Sequence, residues 1–227
     1  MTERGMIFNA DMVRAILDGR KTQTRREVKL NLDIASLATT YDWATSLAAN
    51  HYQGLTEEQI QQKAESLRGV IHPVILGNGQ MVSIICPHGK PGDRIWVREA
   101  FRVHSRATDV ATLVYKASER NSWTEQTHRV PVAVCNKPAT PEKWTPSLHM
   151  PRWASRILLE ITGVRVERLR SMSQDDARAE GVIAASGPME AGLAFRELWD
   201  SIYGEESWKA NPWVWVISFE RVEGGAA

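Results

Sequence analysis

Residues 19 to 26, Gly19-Arg20-Lys21-Thr22-Gln23-Thr24-Arg25-Arg26, place an amine, two hydroxyls and three guanidinium groups in one short run. The Thr24 hydroxyl can act as a nucleophile. It is weak at its free pKa and needs a base within about 3 Å. Lys21 can be that base only if its pKa falls from near 10 towards roughly 7 or 8. Burial or neighbouring cations would do that, and Arg20, Arg25 and Arg26 are adjacent in sequence. In a regular strand Lys21 and Thr24 point to opposite faces. They converge only if the chain is turn-like or bulged between them, and Gly19 is the residue type that permits a sharp turn there. The run carries no apolar face to bury, so composition alone also describes a solvated basic loop. A lysine in such a loop holds up no core, and Lys21→Ala is expected to spare the fold.

The elements that must position these residues are legible in the periodicity. A strand end leads into a short helix before Gly19, capped by Asn9 or Asp11 and striped by Met12, Val13, Ile16 and Leu17. Thr56 and Gln59 have capping-box spacing, so 31–80 reads as a helical insertion, with Gly69 ending its helix. Strand patterns follow at Arg94 to Phe101, Thr112 to Lys116, Arg129 to Cys135, Arg156 to Arg168 and Trp213 to Val222. Ser173 and Asp176 open a helix that Gly181 ends. Pro188 to Tyr203 reads as an amphipathic helix carrying Leu193, Leu198, Trp199 and Ile202. Many short strands with helices at both ends predict an α+β fold around a small β-barrel, in one domain spanning 1–227.

Composition narrows the function classes. The chain has 227 residues, 43% hydrophobic and 24% charged, which excludes a disordered or collagen-like chain. No apolar run reaches the roughly 18 residues of a membrane span and no secretory signal is visible, so a cytoplasmic protein is expected. Lys plus Arg is 28 against 27 for Asp plus Glu, a net charge of +1. Binding of duplex DNA is therefore not expected, and nucleic-acid recognition has to be local. The first 30 residues hold 7 Lys or Arg and 4 Asp or Glu, which suits a single nucleotide or a short single strand. Cys86 and Cys135 are the only cysteines and are read as reduced thiols. Cys86 and His88 are close enough to share a metal, but no familiar ligand pattern completes the set, so no metal and no cofactor are expected. There is no glycine-rich phosphate loop and no nucleophile elbow.

The run after Gly19 resembles the signature of ASCH-domain proteins. Lys90-Pro-Gly-Asp-Arg-Ile-Trp-Val-Arg-Glu99, His149-Met-Pro-Arg-Trp-Ala-Ser-Arg156 and Asn211-Pro-Trp-Val-Trp-Val216 resemble further blocks of that family, in versions found in phages and prophages. Residues 31–80 and 104–143 lie outside the match. The resemblance implies a PUA-like β-barrel flanked by helices, with a cleft lined by the first motif. It also implies binding of RNA or modified nucleotides. One branch of the family hydrolyses the acyl amide of N4-acetylcytidine with a Lys, a Thr three residues later and a distant Glu. Lys21 and Thr24 match that spacing. Matching the helix at Ser173 to Glu180 places the third residue at Glu180.

Such an amidohydrolase needs a nucleophile, a base and an acid for the leaving nitrogen. Thr24, Lys21 and Glu180 are the candidates, expected to meet in one pocket. Arg20, Arg26, Arg98, Glu99, Arg152 and Trp144 are the candidate substrate-binding residues. The expected partner is a modified nucleoside or a short single-stranded RNA. The same residues also fit a module that binds RNA or a modified base without chemistry, or a ribonuclease using the same cleft.

Overall fold

A computed structural model describes residues 1–51, 54–183 and 190–222. The chain opens with strand β1 (Glu3–Ile7), helix α1 (Ala10–Leu17) and strand β2 (Gln23–Glu27). Strand β3 (Ile34–Leu37), helices α2 (Thr40–His51) and α3 (Glu57–Leu67), and strands β4 (His72–Leu76) and β5 (Met81–Ile84) follow. Next come β6 (Arg94–Arg98), β7 (Phe101–Arg106), β8 (Val110–Tyr115), the short helix α4 (Trp123–Gln126) and β9 (Thr127–Pro131). The long strand β10 (Leu158–Arg168), helices α5 (Gln174–Ala179), α6 (Glu190–Tyr203) and α7 (Glu205–Ala210), and strand β11 (Trp213–Arg221) complete the described chain.

The class is α+β. The principal sheet runs β1-β6-β10-β11-β2, with β1 parallel to β6 and the other pairs antiparallel. Its two ends, β1 and β2, do not pair, so the expected closed barrel is absent from the described residues. Strands β3-β4-β5 and β7-β8-β9 form two separate three-stranded sheets instead of continuing the first. Strand patterns mark where strands are and leave their partners open, and that is why the closure was misread. The 31–80 segment likewise holds more than helices: α2 and α3 pack beside a sheet whose Ile34, Val74 and Ile84 join the main core. The expected capping box at Thr56 is formed, and the Trp213 indole N–H donates to Ile34 O at 2.9 Å, tying the segment to β11.

Alternation along β11 divides the interior. Trp215, Ile217 and Phe219 face a core shared with β6, β10 and α1, while Val214 and Val216 face one built with α5 and α6. The α6 stripe differs from the expected one. Ala191, Phe195 and Trp199 are buried, whereas Leu193 and Ile202 are 61% and 45% exposed. Positions i, i+4 and i+8 share a helix face, and the stripe through Leu193 lies off it. Pro188, where that helix was expected to begin, lies outside the described residues. A third core, around Phe101, Leu113 and Tyr115, holds the β7-β8-β9 sheet. Among the described residues no helix is long and apolar enough to cross a membrane.

Candidate functional site

Two helix ends meet at the start of β2. Asn9 caps α1 by accepting from Met12 N–H, and Gly19 (φ 73°) takes the left-handed turn after it. The N–H groups of Arg20 and Lys21 then both donate to Ala15 O at 2.9 Å. On the other side, Ser173 and Asp176 form the capping box that starts α5, and Gly181 (φ 85°) ends it. Thr22 N–H donates to Ala179 O at 2.8 Å, and Lys21 and Glu180 form an antiparallel bridge. A Cβ at Gly181 would lie 2.6 Å from Ala15 Cβ and 2.8 Å from Lys21 Cβ. Only glycine fits both that φ and that approach.

This docking brings Lys21 and Glu180 together inside the protein. Lys21 Nζ donates to Glu180 Oε2 at 2.6 Å and to Glu180 O at 2.9 Å, with side-chain exposures of 0% and 2%. The solvated loop is therefore not what forms: Lys21 is a buried, paired cation, and its removal costs the fold. Burial lowers the Lys21 pKa from its ordinary value; the Glu180 carboxylate opposes that, and Arg26 and Arg25 add to it.

Arg25 completes the arrangement. Its Nη1 donates to Glu180 Oε1 at 3.1 Å, so Lys21 and Arg25 each hold one oxygen of the same carboxylate. Its Nε and Nη2 donate to Glu167 Oε1 at 3.1 and 2.7 Å, and Asp176 Oδ1 lies 3.6 Å away. Arg165 bridges Glu167 and Asp176 from the outside at 3.1 and 2.7 Å. Burial pushes Asp176 up, but the Ser173 hydroxyl and N–H and the Arg165 guanidinium prevail and hold it at about 2. Three cations thus face three carboxylates, which offsets the large desolvation penalty of burying them.

Glu180 and Gly181 line an open groove of about 480 Å³ together with Arg14, Arg20, Val182 and Leu198, whereas Lys21 lies behind Glu180 and is not part of its lining. Arg20 donates to Gly181 O at 2.7 Å and to Asp18 at 2.9 Å. The volume lies within the range of small-molecule sites.

Thr24 does not join the pair. It lies opposite Ile217 in the β2–β11 register, whereas Arg25 lies opposite Val216. Cross-strand partners share a face, so Thr24 turns towards the main core and Arg25 towards α5 and α6. Arg25 shares Glu180 with Lys21, which puts Lys21 and Thr24 on opposite sides of the sheet, as a regular strand requires. The Thr24 hydroxyl is buried and makes no hydrogen bond among the described residues.

The other candidates scatter. Arg26 donates to Ile7 O at 3.0 Å and stacks on Phe8, on the side of the sheet away from Glu180. Arg98 donates to Ser147 O and Leu148 O. Glu99 does not line a cleft: it is 1% exposed and held by Arg156 at 2.9 and 3.1 Å. Burial raises its pKa against the pull of Arg156. Arg152 is on the surface, paired with Glu3 at 2.9 Å. Trp144 lies under the Arg102 guanidinium at 4.5 Å and is not part of the groove wall. The residues that sequence reasoning missed are Glu167 and Asp176, the carboxylates that hold Arg25. Asp176 was legible only as a cap; nothing in the spacing ties Glu167 to β2. Among the described residues no group of three or more His, Cys, Asp or Glu side chains is placed to hold a metal ion. Comparison with protein-family models, with curated proteins and with solved structures finds no match to this chain.

Proposed function

We propose that this chain is an ASCH-type, PUA-like amidohydrolase that removes the acyl group from an N4-acylated cytosine nucleoside or nucleotide. The observation that carries the reading is the short hydrogen bond from Lys21 Nζ to Glu180 Oε2, because Glu180 is one of the residues that line the groove. Burial lowers the proton affinity of Lys21, and the hydrogen bond ties its ammonium to the carboxylate that serves as the base. In this reading water in the groove is the nucleophile, since Thr24 faces away. As water adds to the acyl carbon, its proton passes to the Glu180 carboxylate, with the Lys21 ammonium holding the oxygen that Arg25 does not. The same proton returns to the exocyclic nitrogen as the C–N bond breaks, releasing the carboxylic acid and the deacylated cytosine nucleoside or nucleotide. Arg25 stays on Glu180 Oε1 throughout and fixes the carboxylate. In this reading Arg14 and Arg20, which line the groove, receive the acyl oxygen.

A second reading, a module that holds a modified base without chemistry, is favoured by one observation: the Lys21 and Glu180 side chains are 0% and 2% exposed. Chromatography of N4-acetylcytidine incubated with the protein separates the two. Release of cytidine at a catalytic rate supports the hydrolase. Binding without any cytidine release moves the function to the module.

A further inference from the structure

A second cleft adjoins the groove and has a different electrostatic character. Met12 of α1 lines both spaces. Beyond it the surface opens into a hollow of about 430 Å³ lined by Arg26, Arg98, His88, Asn9 and Tyr203. In the first groove each arginine is neutralised next to where it stands: Arg14 pairs with Asp11 and Arg20 with Asp18. The second hollow has no carboxylate in its lining. Arg26 and Arg98 form no ion pair with a described residue. Arg26 is satisfied by Arg25 O at 3.2 Å and Ile7 O at 3.0 Å, and Arg98 by the carbonyls of Ser147 and Leu148.

The two arginines line the same hollow for a backbone reason. Ile7 is the register partner of Arg98 in the β1–β6 pair, and its carbonyl accepts from Arg26. Each is also laid on an aromatic ring, Arg26 over Phe8 at 5.5 Å and Arg98 over Trp96 at 5.4 Å. Ring and carbonyl fix the direction of both groups in advance, while most of the five N–H donors of each stay free for a ligand. Asn9 in the same lining caps α1, so the positive end of that helix dipole adds to the field. His88 stands among these charges. Burial, then the Arg26 and Arg4 cations, hold it at about 4, so it is a neutral hydrogen-bonding group at physiological pH.

We infer that Arg26 and Arg98 form a phosphate subsite, and that the ligand of this double cleft is a nucleoside monophosphate, not a free nucleoside. Two preset cations with no carboxylate between them match the double charge of a phosphomonoester, and paired arginine forks match its oxygen geometry. The chain's net charge of +1 supplies no wider field for a long polyanion, so one terminal phosphate is the recognised unit. The base then falls on the Met12 side, towards Glu180. The subsite stands on its own geometry; that its phosphate belongs to the hydrolysed substrate rests on the function proposed above.

Calorimetric titration with cytidine, cytidine 5′-monophosphate and an unphosphorylated cytidine trinucleotide tests it without requiring turnover. Wild-type protein should bind the monophosphate at least about tenfold tighter than cytidine, the gain expected of a charge-assisted pair. It should also bind the monophosphate tighter than the trinucleotide, whose phosphates are all diesters. The preference should vanish in Arg26→Gln/Arg98→Gln, with circular dichroism reporting an intact fold. Should that variant fail to fold, His88 ring resonances in wild-type protein serve instead: they should shift on adding the monophosphate and stay put with cytidine. Equal affinity for cytidine and its monophosphate, or a stronger hold on the trinucleotide, overturns the inference. A subsite confirmed in a protein that never hydrolyses an acylcytidine would leave this inference standing and remove only the catalytic reading.

Discussion

Lys21 Nζ and Glu180 Oε2 lie 2.6 Å apart across 159 residues of chain, and neither side chain reaches solvent by more than 2%. Glu180 therefore neutralises two buried cations, Lys21 and Arg25, with its two oxygens. Glu180→Gln removes the charge and keeps the shape. It should destabilise the protein by about 3–5 kcal/mol, the cost of leaving buried charge unpaired. Lys21→Met placed on top of Glu180→Gln should recover part of that loss, because one stranded cation disappears. Urea denaturation of the wild-type protein, the two single variants and the double variant measures this coupling. Additive losses would show that the pair is not a stabilising unit.

Gly181 combines a left-handed φ with a close approach to Ala15 and Lys21. Gly181→Ala meets both penalties, about 1–2 kcal/mol for the backbone and a further 1–3 for the overlap. It should lower the thermal midpoint and weaken the docking of α5 on β2. A midpoint equal to that of wild type would mean that α5 is not seated as described.

Two histidines link stability to acid. Burial holds His72, packed edge-on against Trp215 at 5.1 Å, at about 4, with a hydrogen bond to Gly69 opposing. His88 is also held at about 4, by burial and then by Arg26 and Arg4. The ordinary value is 6.5. Between those pH values each ring takes up a proton on unfolding, so stability is fully present above the ordinary value and falls as pH drops towards 4. Urea midpoints measured from neutral pH downward should decline through that window. His72→Phe should flatten the decline, and an unchanged slope would rule out the His72 assignment.

Thr24 carries a buried hydroxyl with no partner among the described residues. Such a group costs about 1–3 kcal/mol in lost hydration. Thr24→Val keeps the shape and removes that cost, so the variant should be as stable as wild type or more so. A loss above about 1 kcal/mol would reveal a hydrogen bond made by that hydroxyl.

Local signals were readable from the residues: the caps at Asn9, Thr56 and Ser173, and the turns at Gly19 and Gly181, form where their spacing puts them. No strand was expected at β2, β3, β4, β5 or β7, but β6, β8, β9, β10 and β11 were readable, because alternation and turn residues are local. Pairing was not. The division of the described strands into three sheets depends on contacts such as Trp213 with Ile34, set by three-dimensional packing. Within the site, the doubt that strand alternation raised about Lys21 and Thr24 was the sound physical signal, since β2 keeps a regular register with β11. The burial of Lys21 and Arg25 was illegible for the opposite reason. Their run looks fully polar, and the carboxylates that make burial tolerable come from β10 and α5, far along the chain.

Side-by-side hydrolysis of N4-acetylcytidine by wild-type protein, Lys21→Met and Thr24→Val tests the proton relay most directly. Wild type should turn over, and folded Lys21→Met should lose about 10²–10⁴-fold in kcat, the usual worth of a positioned acid–base group, because Glu180 loses the ammonium that positions it. Thr24→Val should stay within a few-fold of wild type, because the attacking group is water. An inactive, folded Thr24→Val beside an active Lys21→Met would mean that the Thr24 hydroxyl, not water, attacks the acyl carbon.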